Sequence, residues 1–372
     1  MTFRFLVFVA MILSIETASA QKFYLFVGTY TGGNSKGIYV YQFDAKTGSL
    51  KWLSNTDSVS NPSYLAVDRQ GRYVYAVNED AGKQGGSVSA FAFNRSNSSL
   101  SFINRQPSGG DHPCYVAVTA DGGRLVAGNY SGGNFSVFAV NKDGSIAPPL
   151  QTVQHVGSSV NAERQEKAHV HATVFSPREN FLLVPDLGID QVLVYPFNAS
   201  SSLPVDTGRR FSSVSQPGSG PRHLAFHPGG GLVYLMEELT GTVAAYRFSG
   251  GRLHFLQRLS SHPPGYRGTK GSADIHVSPD GRFLYASNRG DANNLAIFSV
   301  SPGGRLKPVG FQSTGGLKPR NFVIDPTGNY LLVANQDSHS IVVFKRNKKT
   351  GLLQQAGTPV SVPSPVCLKM LR

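Results

Sequence analysis

Sulfur and negative charge are both scarce in this sequence. Two cysteines, Cys114 and Cys367, occur in 372 residues, with no CxxC pair and no Cys/His spacing of the kind that holds structural zinc. An exported chain could oxidise one such pair, but the repeat register described below puts the two in non-adjacent blades, which argues against a bridge. Aspartate and glutamate number 22 against 35 lysines and arginines, a formal net charge of +13. The basic residues are scattered rather than clustered with aromatics, so a nucleic-acid partner is not indicated; weak attraction for anionic small molecules is. Charged residues make up 15% and hydrophobic residues 40% of the chain, a balance that suits a packed core and excludes a disordered chain.

Long apolar runs are missing as well. The longest, Leu6 to Ile15 within MTFRFLVFVAMILSIETASA, is far short of the ~20 residues a spanning helix needs. Its basic start at Arg4 and the small residues Ala18-Ser19-Ala20 before Gln21 read as a cleavable secretory signal peptide over residues 1–20. Cleavage removes Arg4 and Glu16 together and leaves the net charge unchanged. Gln21, not a cysteine, directly follows the cleavage site, so a lipoprotein route is not indicated. Export to the periplasm is expected, without stable membrane insertion afterwards.

What the chain has in quantity is glycine and β-strand repeats. A run of strand residues ending in an aromatic and a polar turn recurs as GIYVYQFDAKTGSL, SVSAFAFNRSNSSL, NFSVFAVNKDGSI, QVLVYPFNASSSL, TVAAYRFSGGRL, NLAIFSVSPGGRL and SIVVFKRNKKTGLL. The aromatics are Tyr41, Phe91, Phe138, Tyr195, Tyr246, Phe298 and Phe344, seven copies 46 to 57 residues apart. A second pattern, two β-rich runs around a turn, precedes six of them, as in HPCYVAVTADGGRLVAGNY and GSADIHVSPDGRFLYASNR. The seventh is split between SPVCLKML at the C-terminus and KFYLFVGTY near the N-terminus. Four-stranded units at this period predict an all-β fold, a seven-bladed β-propeller over residues 21–372 whose closing blade is built from both termini.

The repeat also predicts where chemistry sits. In each antiparallel hairpin the start of the first strand and the end of the second share a rim, and with the first strand innermost that rim borders the central channel. The first rim position holds Ser63, Cys114, His171, Arg222, Ala273, Arg320 and Val366; the second holds Glu79, Tyr130, Leu187, Glu238, Arg289, Gln336 and Tyr30. Folding alone needs no such variety. A histidine, three arginines and two acids around one pocket could bind an anion and move a proton. Taken singly, each is equally a solvated loop charge or an inter-blade ion pair.

Other histidines read differently. His227 aligns with Asp68, Thr119, Ser176, Ser278 and Asp325, side chains that hydrogen-bond a hairpin turn, so a structural role is expected. His223 lies one residue inside the rim and reads as a supporting core histidine; His276 is left open. His169 precedes the rim and could assist His171, whereas the HVH pair lacks a third ligand in register for a metal. The longest interval between repeats contains QHVGSSVNAERQEKAHVH, a candidate lid from which Arg164, Gln165 and Glu166 could reach in or lie on the surface.

The motifs VGTYT, QPSGGDHPCYVAV, VPDLGID, GSGPRHLAFHP, ADIHVSPDGRFLYASNRG, STGGLKPRNFVIDPTGNYLLVANQDS and VPSPVCLK resemble those of the seven-bladed lactonase family, the family of propeller-type 6-phosphogluconolactonases and carboxy-cis,cis-muconate cyclases. The resemblance implies an active site on His171, Arg222, Glu238 and Arg289; the repeat reading reaches these four without placing them above Arg320 or Glu79. Joined to the repeat reading, it leads us to expect hydrolysis of a sugar lactone without a cofactor, and we assign His171 as base, Glu238 as its partner or alternative, Arg222 and Arg289 to the oxyanion and substrate anion, and Arg320, Glu79, His169 and Gln336 to substrate binding. A lactone-forming or lactone-opening cycloisomerase and a non-catalytic periplasmic binding propeller are the alternatives. Sugar-phosphate lactones are cytoplasmic metabolites, so export sets 6-phosphogluconolactone itself in question as the physiological substrate.

Overall fold

Each repeat hairpin turns on a side chain that caps its own backbone. The computed structural model describes residues 21–372 apart from 58 and 84, so the expected signal peptide lies outside the described residues. Asp68 Oδ1 accepts from the N–H groups of Arg72 and Tyr73 at 2.6 and 2.7 Å. Thr119, Ser176, Ser278 and Asp325 accept in the same way from Arg124, Phe181, Phe283 and Tyr330. His227 does so with an imidazole: Nδ1 accepts from Gly229 N–H and Nε2 donates to the Gly281 carbonyl of the next blade. The turn role expected for His227 is therefore what the structure shows.

Seven antiparallel sheets result, arranged as propeller blades. Counting from the hairpin at Leu65–Val67 and Tyr73–Asn78, blades 1 to 6 are each built from consecutive strands. In blade 6 the outer edge is shared between Leu353–Gln355 and Val360–Ser361. Blade 7 joins both ends of the chain: Pro365–Leu371 pairs with Lys22–Thr29, followed by Tyr39–Asp44 and Ser49–Asn55. Closure leaves no bare sheet end between first and last blade.

The repeat aromatics lie between blades. None of the seven is more than 5% exposed. Burying a side chain of this size is worth roughly 1.5–3 kcal/mol, and the repeat supplies it once per blade. In five blades a register shift falls just before this aromatic, at Tyr41, Phe91, Phe138, Tyr246 and Phe298. A bulge there sharpens the local twist that a propeller blade needs.

Blade 3 departs from the pattern. Its inner strand is reduced to Val174–Phe175, preceded by a single bridge from Val170 to Asp186. The adjoining strand, Phe181–Asp186, carries Pro185, which has no N–H to donate to the ladder. His171 N–H still donates to the Pro185 carbonyl at 3.0 Å, but Pro185 has no N–H to return to the His171 carbonyl.

The closing seam is tight. Gly28 pairs with Cys367 inside blade 7, and a Cβ on Gly28 would lie 2.3 Å from the Pro62 carbonyl oxygen at the edge of blade 1. Backbone cannot yield there without parting the blades. Gly28→Ala is expected to lower stability by about 1–3 kcal/mol in urea unfolding; an unchanged midpoint would show that the seam relaxes freely.

Candidate active site

The two rim positions prove unequal in depth. Ser63, Cys114, His171, Arg222, Ala273 and Val366, from the start of the inner strands, are all buried in the neck of the channel. The ends of the second strands stand above them, with Glu79, Tyr130, Arg289, Gln336 and Tyr30 only partly buried. Leu187 and Glu238 are the buried members of that upper set.

Glu238 collects the cations. Arg222 Nε lies 2.9 Å and Arg289 Nη2 3.0 Å from its Oε2. The Arg222 N–H is not aimed along that line, so this is a charge contact rather than an aligned hydrogen bond. Arg164 Nη2 donates to the other oxygen, Oε1, at 2.8 Å. His171 Nε2 stands 3.9 Å from Oε2. Burial pushes the Glu238 carboxyl upward, but Arg289, Arg222 and Arg164 outweigh it and hold the group well below the usual carboxylate range. Burial, then Arg222, hold His171 well below the usual histidine range against the pull of Glu238. At neutral pH the site therefore contains an ionised carboxylate beside a neutral imidazole.

Arg222 and Arg289 are fixed by backbone carbonyls. Arg222 Nη1 donates to Ala273 O at 2.6 Å, and Arg289 Nε donates to Gly271 O at 2.8 Å. Burial lowers Arg289 to about 10, with Glu238 opposing, so it remains a cation at neutral pH. Cys114 lies against His171, its sulfur 3.7 Å from Nδ1, and burial pushes the thiol far up, so it is no ready thiolate.

A second acid centre sits on neighbouring blades. Tyr30 Oη donates to Glu79 Oε2 at 2.9 Å, and Arg320 Nη2 lies 3.8 Å from the same oxygen. Arg320 also stands over the Tyr30 ring at 5.3 Å. Gln336 Oε1 is buried without a hydrogen-bond partner among the described residues, as is Ser63 Oγ.

His169 lies elsewhere. Its ring stacks on Tyr130 at 4.4 Å, Nδ1 meets the Tyr130 carbonyl at 3.0 Å, and Nε2 meets Glu166 at 3.1 Å. Both nitrogens are committed, so it tethers the long connection rather than facing the opening. Gln165 is fully buried and donates to Leu187 O, while Arg164 is the member of that connection that reaches the site.

Below the rim, the structure brings in a residue that sequence reasoning passed over. Asp274 binds His223 Nδ1 and His276 Nε2, each at 2.9 Å, and accepts from Asn321. It supplies the supporting role expected of His223 and a partner for the otherwise unplaced His276. Its signal in the sequence was one carboxylate in a register occupied by Tyr64, Tyr115 and Asn321 in other blades. Above this layer a void of about 10 Å³, room for about one water, is lined by Ser63, Cys114, Arg222, His223 and Arg320. An open cleft of about 470 Å³ beside Glu238 is lined by Arg164, Arg289, Lys270, Lys318 and Asp337.

The sequence and the fold have counterparts. A family model described as lactonase, 7-bladed beta-propeller, matches residues 24–370. The 6-phosphogluconolactonase of Formosa agariphila is 37% identical over 352 residues, covering 93% of this chain and 99% of the relative. That of Bacillus subtilis is 37% identical over 353 residues, with 94% and 99% covered. Among solved structures, a putative 6-phosphogluconolactonase from Bacteroides fragilis superposes with a TM-score of 0.90 at 40% identity, covering 96% of this chain and 99% of that one. The periplasmic gluconolactonase of Pseudomonas aeruginosa gives 0.89 at 37% identity, with 95% and 99% covered. By its family match and by relatives that align over nearly its whole length, the chain belongs to the seven-bladed β-propeller lactonase family.

Proposed function

We propose that the protein hydrolyses a sugar lactone in the cleft beside Glu238. The observation that carries the reading is the neutral His171 next to an ionised Glu238 that is itself held by Arg222, Arg289 and Arg164, at the wall of a cationic cleft. Attack of water on the lactone carbonyl needs a base, and His171 is the neutral group beside the carboxylate that can take up the proton. Glu238, ringed by guanidinium groups, is too weak a base and instead stabilises the imidazolium as it forms. Arg289, at the cleft wall, takes the developing oxyanion, with Arg222 behind. Collapse breaks the bond between carbonyl carbon and ring oxygen. The imidazolium then returns its proton to that oxygen, leaving a hydroxyl and a carboxylic acid that ionises. Glu79, Gln336 and Arg320 are assigned to the sugar hydroxyls.

Export is part of the same proposal. Residues 1–20 have the pattern of a signal peptide, and the similar Pseudomonas aeruginosa protein is a periplasmic gluconolactonase. Among the described residues no helix is long and apolar enough to cross a membrane.

His171→Ala and Arg289→Ala are each expected to cost roughly 100-fold or more in kcat/KM on a turned-over lactone, with circular dichroism unchanged. Spontaneous ring opening is subtracted, and NMR of the product distinguishes hydrolysis, which adds water, from cycloisomerisation, which does not. Wild-type rates in both variants would remove these residues from the mechanism.

The pH profile is a separate check. The base must be neutral to act, and Arg222, His223, Arg320 and Glu238 all bear on it, with burial and Arg222 dominant. Because its pKa is depressed, the acid limb of kcat/KM is displaced downward from the ordinary histidine value near about 6.5. Activity should therefore hold nearly constant from about pH 8 to about pH 6. A half-maximum at or above about pH 6.5 contradicts the assignment of His171 as base.

A further inference from the structure

The connection between blades 2 and 3 is the longest of the repeat, and it is held at both ends by one buried carboxylate. Asp186 Oδ2 meets His155 Nδ1 at 2.8 Å where the segment begins, and Asp186 Oδ1 accepts from His169 N–H at 2.7 Å where it ends. His155 Nε2 is in turn 3.0 Å from Tyr195 Oη. Inside the segment, Ser159 Oγ donates to Asp190 Oδ2, and that same oxygen accepts from Gly218 N–H in the approach to Arg222. Gln165 is buried and bonded to Leu187 O and to Asn161 N–H. Gly188 is required beneath it, since a Cβ there would lie 1.8 Å from Lys167 O. The segment is thus a built platform rather than a loose loop.

What the platform presents is Arg164. Its side chain is 43% exposed, whereas those of Arg222 and Arg289 are 2% and 12% exposed. Only Nη2 is used, toward Glu238 Oε1 at 2.8 Å and Tyr130 Oη at 3.1 Å. Among the described residues its Nε and Nη1 have no hydrogen-bond partner, and the residue lines the cleft together with Lys270 and Lys318. Of the three arginines on Glu238 it is the one with donors to offer a ligand, and no backbone carbonyl restrains its guanidinium.

We infer that Arg164 is a specificity-determining residue that recognises an oxyanion group on the ligand, a phosphate or a carboxylate, while its backbone stays fixed on the Asp186 platform. The inference rests on reading the cleft as a lactone site. Two chemistries offer such a group: a phosphorylated sugar lactone carries it throughout, and hydrolysis creates a carboxylate on any lactone. A planar fork suits both.

Calorimetric titration of the full chain separates them, using gluconate, glucose 6-phosphate and 6-phosphogluconate as probes, with wild type, Arg164→Gln and Arg164→Lys. The wild type should bind at least one probe, and Arg164→Gln should weaken that probe roughly tenfold or more, with Arg164→Lys intermediate. Weakening of gluconate but not glucose 6-phosphate assigns the residue to the carboxylate; the reverse assigns it to phosphate; loss of both assigns it to oxyanions generally. Equal affinities in wild type and Arg164→Gln, or no binding of any probe by the wild type, overturn the inference. Lactone turnover by the wild type is measured alongside. Arg164-dependent anion binding without turnover sinks the hydrolytic reading alone, and turnover with Arg164-independent binding sinks this one alone.

Discussion

A carboxylate taken out of water stays ionised only if cations replace the water, and Glu238 is arranged around that constraint. Its residue is 4% exposed, and three arginines reach it from three separate segments of the chain. The arrangement works in both directions. Glu238 is the counter-charge that lets Arg222 and Arg289 remain charged under burial, and they are the reason it is a poor base. Pairs of this kind add little net stability, but breaking one leaves an uncompensated buried charge at a cost of about 3–5 kcal/mol. The neck of the channel is held in one electrostatic configuration, within which burial and Arg222 keep His171 neutral against the pull of Glu238.

The same logic repeats one layer deeper and one sector across. Asp274 is fully desolvated between His223 and His276, and Glu79 is shared by Tyr30 and Arg320. Glu238, Asp274 and Glu79 thus each have a partner from a neighbouring blade. The inter-blade contacts that close the ring and the contacts that tune the site are often the same contacts. Arg222 shows it plainly: its guanidinium reaches Glu238 within blade 4 and the Ala273 carbonyl in blade 5.

Much of this was legible beforehand because a propeller repeats. Seven aligned copies make an odd residue visible, so His171, Arg222, Glu238, Arg289, Arg320 and Glu79 stood out against Ser, Ala, Val and Leu at the same positions. His227 was separable from them by the same comparison, since Asp68 and Ser278 cap the same turn. Arg164 was not separable, because the connection carrying it has no counterpart in other blades. The expected substrate contact at His169 is harder to read for a related reason. The residue sits beside the rim in sequence, but the Tyr130 ring and Glu166 occupy both of its nitrogens.

Sequence alone determined the all-β class, the seven repeats, the closing blade from both termini and the list of rim side chains. Each of these follows from local pattern: strand alternation, turn chemistry and spacing. Tertiary structure decided which rim position lies deep, that Glu238 rather than Glu79 gathers three arginines, and that Arg164 joins them. Those outcomes depend on how the ring curves on closing and on the path of one long connection between Asp186-held ends. Charge pairing falls off within a few ångströms, so it is settled by final distances that no repeat spacing contains.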